Sequence, residues 1–184
     1  MIINIGTLTA EKQETIRKFI NSAEYSSLES LEWGEAFQKT LLFPTDDFHL
    51  QEEQYNCIIS LLNKSELLYV MKMDYDLQVT GINNEVYEIS APFDYDEYEK
   101  IWLDTPSVVF SDSGKWIVII DELAEYGEGL FIGEEIFSSK FLRGYTRKSQ
   151  DIIEYIEFFT AENLKRGVPL NHMTDVLKLC GINS

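Results

Sequence analysis

Cysteine and histidine are scarce in this chain. Its 184 residues contain two cysteines, Cys57 and Cys180, and two histidines, His49 and His172. Neither a Cys-x-x-Cys pair nor a His-Glu-x-x-His helix can be made from them, so no metal centre is expected. The histidines read as ordinary surface or loop residues. The cysteines lie far apart with no disulfide spacing, which suits two reduced thiols in the cytoplasm. Long apolar runs are missing as well. The longest, Trp116 to Ile120, is strand-sized, where a membrane span needs about 18 apolar residues or more. The stretch Met1 to Leu8 has no basic flank and no small-residue cleavage site, so it does not read as a secretory signal. A cytoplasmic protein with no membrane partner is expected.

Basic residues are in deficit. Fifteen Lys and Arg face 32 Asp and Glu, for a net charge of −17. A nucleic-acid backbone would meet a repelling field, so nucleic acid is not an expected partner. A basic protein is. Phosphate-binding loops are absent too. Gly127-Glu128-Gly129 with Gly133 misses the dinucleotide spacing by one residue and puts a carboxylate where a phosphate would approach. Asp74-Tyr75-Asp76 with Glu85 imitates a calcium loop, but Val79 occupies the position that needs glycine. No Gly-x-Ser-x-Gly elbow occurs. No cofactor is expected, and the chain is read as a non-enzyme.

What is present describes a folded globule. Apolar residues make up 45% and aromatic residues 13%, too many for a disordered acidic tail. A chain of this size buries roughly 70% of its unfolded surface and needs no staple. With four prolines and no Pro/Gly/Ser linker, residues 1–184 read as a single domain. It has an N-terminal helical part (1–65), an acidic sheet part (66–142) and C-terminal helices (143–184). Thr9 caps a helix running to about Ala23, with Ile16, Phe19 and Ile20 on one face. Ser26 and Glu29 open a second helix through Leu28, Leu31, Phe37 and Leu41, stopped by Pro44. A third spans about Leu50 to Asn63.

Strand formers then take over at Leu67–Met73, Val86–Ile89, Ser107–Phe110, Trp116–Ile120 and Leu130–Ile132. Ser111-Asp112-Ser113-Gly114 is a turn, making 107–121 a hairpin. Asp94 and Glu97 read as caps of a short helix ending near Leu103. Helices return after Ser149 and after Asn171. The expected class is α+β, with a mostly antiparallel central sheet (about residues 67–133) flanked by N-terminal and C-terminal helices.

The charge is localised. Residues 46–142 carry 21 acids and 5 bases, and the other 87 residues carry 11 and 10. The densest acidic segments contain tyrosines: Asp94-Tyr95-Asp96-Glu97-Tyr98-Glu99 and Asp121 to Glu128. Asp46-Asp47 and Glu52-Glu53 add a third patch. Such segments suit a solvated face. They also suit an interface in which carboxylates steer a basic partner and tyrosines anchor it. Tyr95, Tyr98 and Trp102, at i, i+3 and i+7, would equally form the buried stripe of the short helix. The candidate contacts are Tyr95, Asp96, Tyr98, Glu99, Glu122, Glu125 and Tyr126. Arg143, Arg147 and Lys148 form a small basic cluster ahead of the penultimate helix.

The segment Val108-Val109-Phe110-Ser111-Asp112-Ser113-Gly114-Lys115-Trp116-Ile117-Val118-Ile119-Ile120-Asp121 resembles a hairpin of small bacterial immunity proteins. Gly129-Leu130-Phe131-Ile132-Gly133 and Leu179-Cys180-Gly181-Ile182 are similar in style. The resemblance implies a cytosolic, non-enzymatic inhibitor that caps a toxin domain. The acidity agrees, since toxins acting on nucleic acid are usually basic. A DNA mimic acting against restriction enzymes or nucleases, and an acid-catalysed hydrolase, stand as alternatives.

Overall fold

A computed structural model describes residues 1–20, 39–45, 48–73, 85–123, 126–144, 161 and 165. Within them the chain runs β1 (Ile2–Asn4), α1 (Ala10–Arg17), β2 (Lys39–Pro44), α2 (Glu52–Ile59), β3 (Leu68–Lys72) and β4 (Val86–Ile89). It continues with α3 (Tyr95–Tyr98), β5 (Ser107–Ser111), β6 (Trp116–Leu123), β7 (Tyr126–Gly133) and α4 (Glu135–Gly144). The strands form one sheet in the order β1-β4-β3-β5-β6-β7-β2. Every pairing is antiparallel. The fold is α+β, as the sequence pattern predicts.

The expected boundaries need correction in one respect. The sheet is not confined to residues 67–133, because the N-terminal part supplies both of its edges. β1 pairs with β4, and β2 pairs with β7 from Lys39↔Gly133 to Pro44↔Glu128. Leu41, expected in a helix, therefore lies in a strand. The run Lys39-Thr40-Leu41-Leu42-Phe43 suits either structure locally, and a partner some 90 positions away in sequence decides it. The remainder of that expected helix, up to Gln38, lies outside the described residues. So do both expected C-terminal helices, apart from Ala161 and Lys165. α1 ends at Arg17, short of the expected Ala23, and α4 forms where the sequence pattern marks no helix. Arg143 sits in α4, where its Nε donates to the Ser139 carbonyl.

Both faces of the sheet are covered, which is why β5 and β6 read as unbroken apolar runs. On one face Leu68, Val70, Ile89, Val109, Trp116, Val118, Ile120 and Phe131 pack with Tyr55 and Ile58 of α2, Tyr98 of α3 and Phe141 of α4. On the other face Tyr69, Met71, Val108, Phe110, Ile117, Ile119 and Ile132 are equally buried. α1, started by its Thr9 cap, lies on this second side. Lys12 Nζ stands 4.7 Å from the centre of the Tyr69 ring. The β5–β6 turn is the expected one. Gly114 takes φ +62° and donates its N–H to the Ser111 carbonyl, and Asp112 accepts the Leu67 N–H.

Gly129 is required by packing. A Cβ there would overlap the ring of Phe43, which crosses β7 and meets Phe141 at a tilt, 5.1 Å away between ring centres. Gly129→Ala should therefore destabilise the protein by about 1–3 kcal/mol, the usual cost of overpacking a core. Combining it with Phe43→Leu should recover part of that loss. Denaturant midpoints for the two single variants and the double variant measure the coupling.

Candidate functional site

Asp94 ends an extended segment, and its carboxylate accepts the Asp96 N–H, starting the single turn of α3. Glu97 does not complete a capping pair. Its carboxylate reaches forward to Lys100 Nζ at 2.9 Å, which holds the Glu97 carboxyl below the usual carboxylate range. The helix stops at once, and this separates residues that the sequence places on one stripe. Tyr98 faces inward and is fully buried. Its hydroxyl accepts the Leu50 N–H at 3.0 Å, its ring stacks on Tyr55 at 4.7 Å, and His49 meets it edge-on. Burial pushes the Tyr98 and Tyr55 phenols well above their ordinary values; Asp94 adds to the effect at Tyr55. Tyr98 is thus corrected from a candidate contact to a core residue.

Tyr95 is half-buried, and its hydroxyl donates to the Leu50 carbonyl. Asp96 and Glu99 are exposed, and neither carboxylate has an ion-pair partner among the described residues. Glu122 and Tyr126 sit in the β6–β7 hairpin, registered as Glu122↔Gly127 and Leu123↔Tyr126. Glu125 lies outside the described residues. The two tyrosine-bearing acidic segments belong to different elements, one to α3 over the sheet and the other to the β6–β7 hairpin. Asp46 and Asp47 also lie outside the described residues. Glu52 and Glu53 begin α2, where the helix dipole favours them, and border an open hollow with Asn56, Cys57 and Ser60. The Cys57 thiol is free, and burial, aided by Glu53, pushes its pKa up, away from nucleophilic character.

The residue that the sequence pattern misassigned is Trp102. It is 73% exposed, although its spacing from Tyr95 suits a buried stripe. The early end of α3 turns it outward. It borders a groove of about 310 Å³ with Ile2, Tyr87, Glu97, Lys100 and Ile101. Two walls of this groove are fixed from behind by one lysine. Lys72 Nζ lies 2.9 Å from Glu85 and 3.2 Å from Asp104. Glu85 accepts the Tyr87 hydroxyl, and Asp104 accepts from the Trp102 indole. Neither Lys72 nor Asp104 is marked by any motif. A signal for Trp102 does exist in Leu103-Asp104-Thr105-Pro106, a loop-forming run that argues against a helix reaching it.

The titration of this network has a definite sign. Glu85 is held low first by its hydrogen bond from Lys72 and next by that from Tyr87. Asp104 is held low first by Trp102 and then by Lys72. Desolvation lowers the Lys72 pKa, but its bonds to the two carboxylates outweigh this and the net shift is upward. Carboxylates with depressed values stabilise the fold above their ordinary range and lose that effect as pH falls through the depressed values. A lysine with a raised value contributes fully below its ordinary value and loses that effect as pH rises through the raised one. The network is therefore intact between those limits. In Lys72→Met, Glu85 should titrate at clearly higher pH, and Asp104 should move less because Trp102 still donates to it. Carboxyl-carbon NMR titration of both residues checks the order.

Among the described residues no group of three or more His, Cys, Asp or Glu could hold a metal ion, and no helix is long and apolar enough to cross a membrane. Comparison with protein-family models, with curated proteins and with solved structures finds no match to this chain.

Proposed function

We propose that this chain is a cytoplasmic binding protein that neutralises a basic protein partner through the acidic surface around α3 and Trp102. The observation that carries the reading is an exposed tryptophan oriented by Asp104 and lying a few residues beyond Asp96 and Glu99, exposed carboxylates with no ion-pair partner among the described residues. Tryptophan is the side chain most enriched at binding hot spots, and exposing one costs hydration free energy that a partner would recover. Surrounding carboxylates speed the approach of a positive surface. The resemblance of the β5–β6 hairpin to immunity proteins supports a toxin domain as that partner. The surface is narrower than the sequence suggests: Tyr98 drops out and Trp102 enters.

The test is co-expression with the product of the adjacent gene. Wild-type protein should form a tight one-to-one complex that weakens as salt rises, and should restore growth if that product is toxic. Asp96→Lys combined with Glu99→Lys should fold normally and bind at least about thirtyfold more weakly, as expected for two charge reversals at an interface. Full neutralisation by the doubly substituted protein would remove α3 from the interface.

A further inference from the structure

The groove beside Trp102 runs along a sheet edge whose hydrogen-bonding groups point outward. Ser90 N–H donates to the Met1 carbonyl, and Ile5 N–H donates to the Val86 carbonyl. With the register Ile2↔Ile89, Ile3↔Glu88 and Asn4↔Tyr87, residues 1, 3 and 5 spend their backbone groups on β4. In an antiparallel ladder the alternate residues face the other way. The N–H and C=O of Ile2 and Asn4 therefore point away from the sheet, and no strand among the described residues takes them up. The same Ile2 side chain lines the groove with Tyr87, Ile101 and Trp102. A strand edge unpaired among the described residues and an apolar groove thus lie side by side.

Acidic groups outnumber basic ones around them. Glu85, Asp94, Asp96, Glu97, Glu99 and Asp104 stand against Lys72, Lys100 and the Met1 ammonium; Lys72 is paired with Glu85 and Asp104, and Lys100 with Glu97. Lysine or proline often blunts an exposed edge, and the three-residue β1, blunted only by its shortness, carries neither.

We infer that β1 accepts an extended basic segment of the partner as an eighth strand. Alternate apolar side chains of that segment enter the groove, and a Lys or Arg lies over the Trp102 face. Pairing with Ile2 and Asn4 supplies main-chain affinity. The groove and the Trp102 ring select the side chains. This rests on the reading of the acidic surface as a binding surface and adds the mode by which it binds.

The probe is a short acetylated, amidated peptide alternating lysine and valine, with two controls: a glutamate–valine peptide and the lysine–valine peptide N-methylated along its backbone. Binding of the lysine peptide should slow hydrogen exchange at the Ile2 and Asn4 amides and shift the Trp102 indole resonance. Neither control should do so. Asn4→Pro removes an N–H that β4 does not use, so the native ladder is kept. It should weaken the lysine peptide about tenfold, the effect of losing one backbone bond together with steric exclusion of the incoming strand. Trp102→Ala should weaken it by a similar factor.

Binding that leaves both amides unprotected and is indifferent to Asn4→Pro overturns strand addition, while the acidic-surface reading stands on its own test with the adjacent gene product. Absence of binding by the lysine peptide overturns strand addition as well. A native complex that survives the Asp96→Lys and Glu99→Lys reversal, with the peptide still protecting Ile2 and Asn4, separates the two in the other direction. The exchange measurement on wild-type protein decides the matter even if Asn4→Pro fails to fold.

Discussion

Tyr98→Ala should destabilise the protein by about 3–5 kcal/mol, as large-to-small changes of buried aromatics do. The side chain is fully buried between α2 and the sheet, stacked on Tyr55 and met edge-on by His49. Its hydroxyl is the acceptor for the Leu50 N–H. Tyr98→Phe keeps the ring and leaves that buried donor unpaired, so a smaller loss of about 1–3 kcal/mol is expected. Urea unfolding of the two variants measures both. A midpoint unchanged in Tyr98→Ala would remove Tyr98 from the core and return it to the surface. Because the two variants differ in mechanism, their ratio also tests whether the ring or the hydroxyl dominates.

Trp102→Ala should behave in the opposite way. Its side chain is exposed, so the unfolding midpoint should hardly move. Partner affinity should fall by about 2 kcal/mol or more, roughly thirtyfold, as for a tryptophan at the centre of an interface. A second readout is independent of the partner. The Trp102 indole is the leading cause that holds the Asp104 carboxyl low, so in Trp102→Ala that carboxyl should titrate closer to its ordinary value. Unchanged affinity together with the expected Asp104 shift would make Trp102 a surface ornament of the Lys72 network and would shift the binding surface elsewhere on the fold.

Tyr98 and Trp102 show why sequence spacing alone misplaces a surface. Four positions separate them, and on a continuing helix they would share a face. α3 ends after one turn, so the helical rule ceases to hold between the two residues. The structure reverses the assignment: the charged segment keeps its inner tyrosine and exposes a tryptophan beyond its end. Lys72, Glu85 and Asp104 are a different case. Lys72 sits in β3, Glu85 precedes β4 and Asp104 precedes β5. Adjacent strands bring their ends together, and no local pattern records that.

Much of the fold can nevertheless be read from the chain. The strands from Leu68 onward, the Ser111–Gly114 turn, the Thr9 and Asp94 caps and the antiparallel α+β character all follow from periodicity and turn chemistry, which act over a few residues. The concentration of charge in residues 46–142 is likewise a property of the sequence itself. The tertiary structure alone decided that both sheet edges come from the N-terminal part, that Lys39–Pro44 is a strand, and that Tyr98 is core. Each of these depends on a partner far away in the chain. Strand pairing and burial are settled by contacts between distant residues, and local propensity yields wherever such contacts offer more.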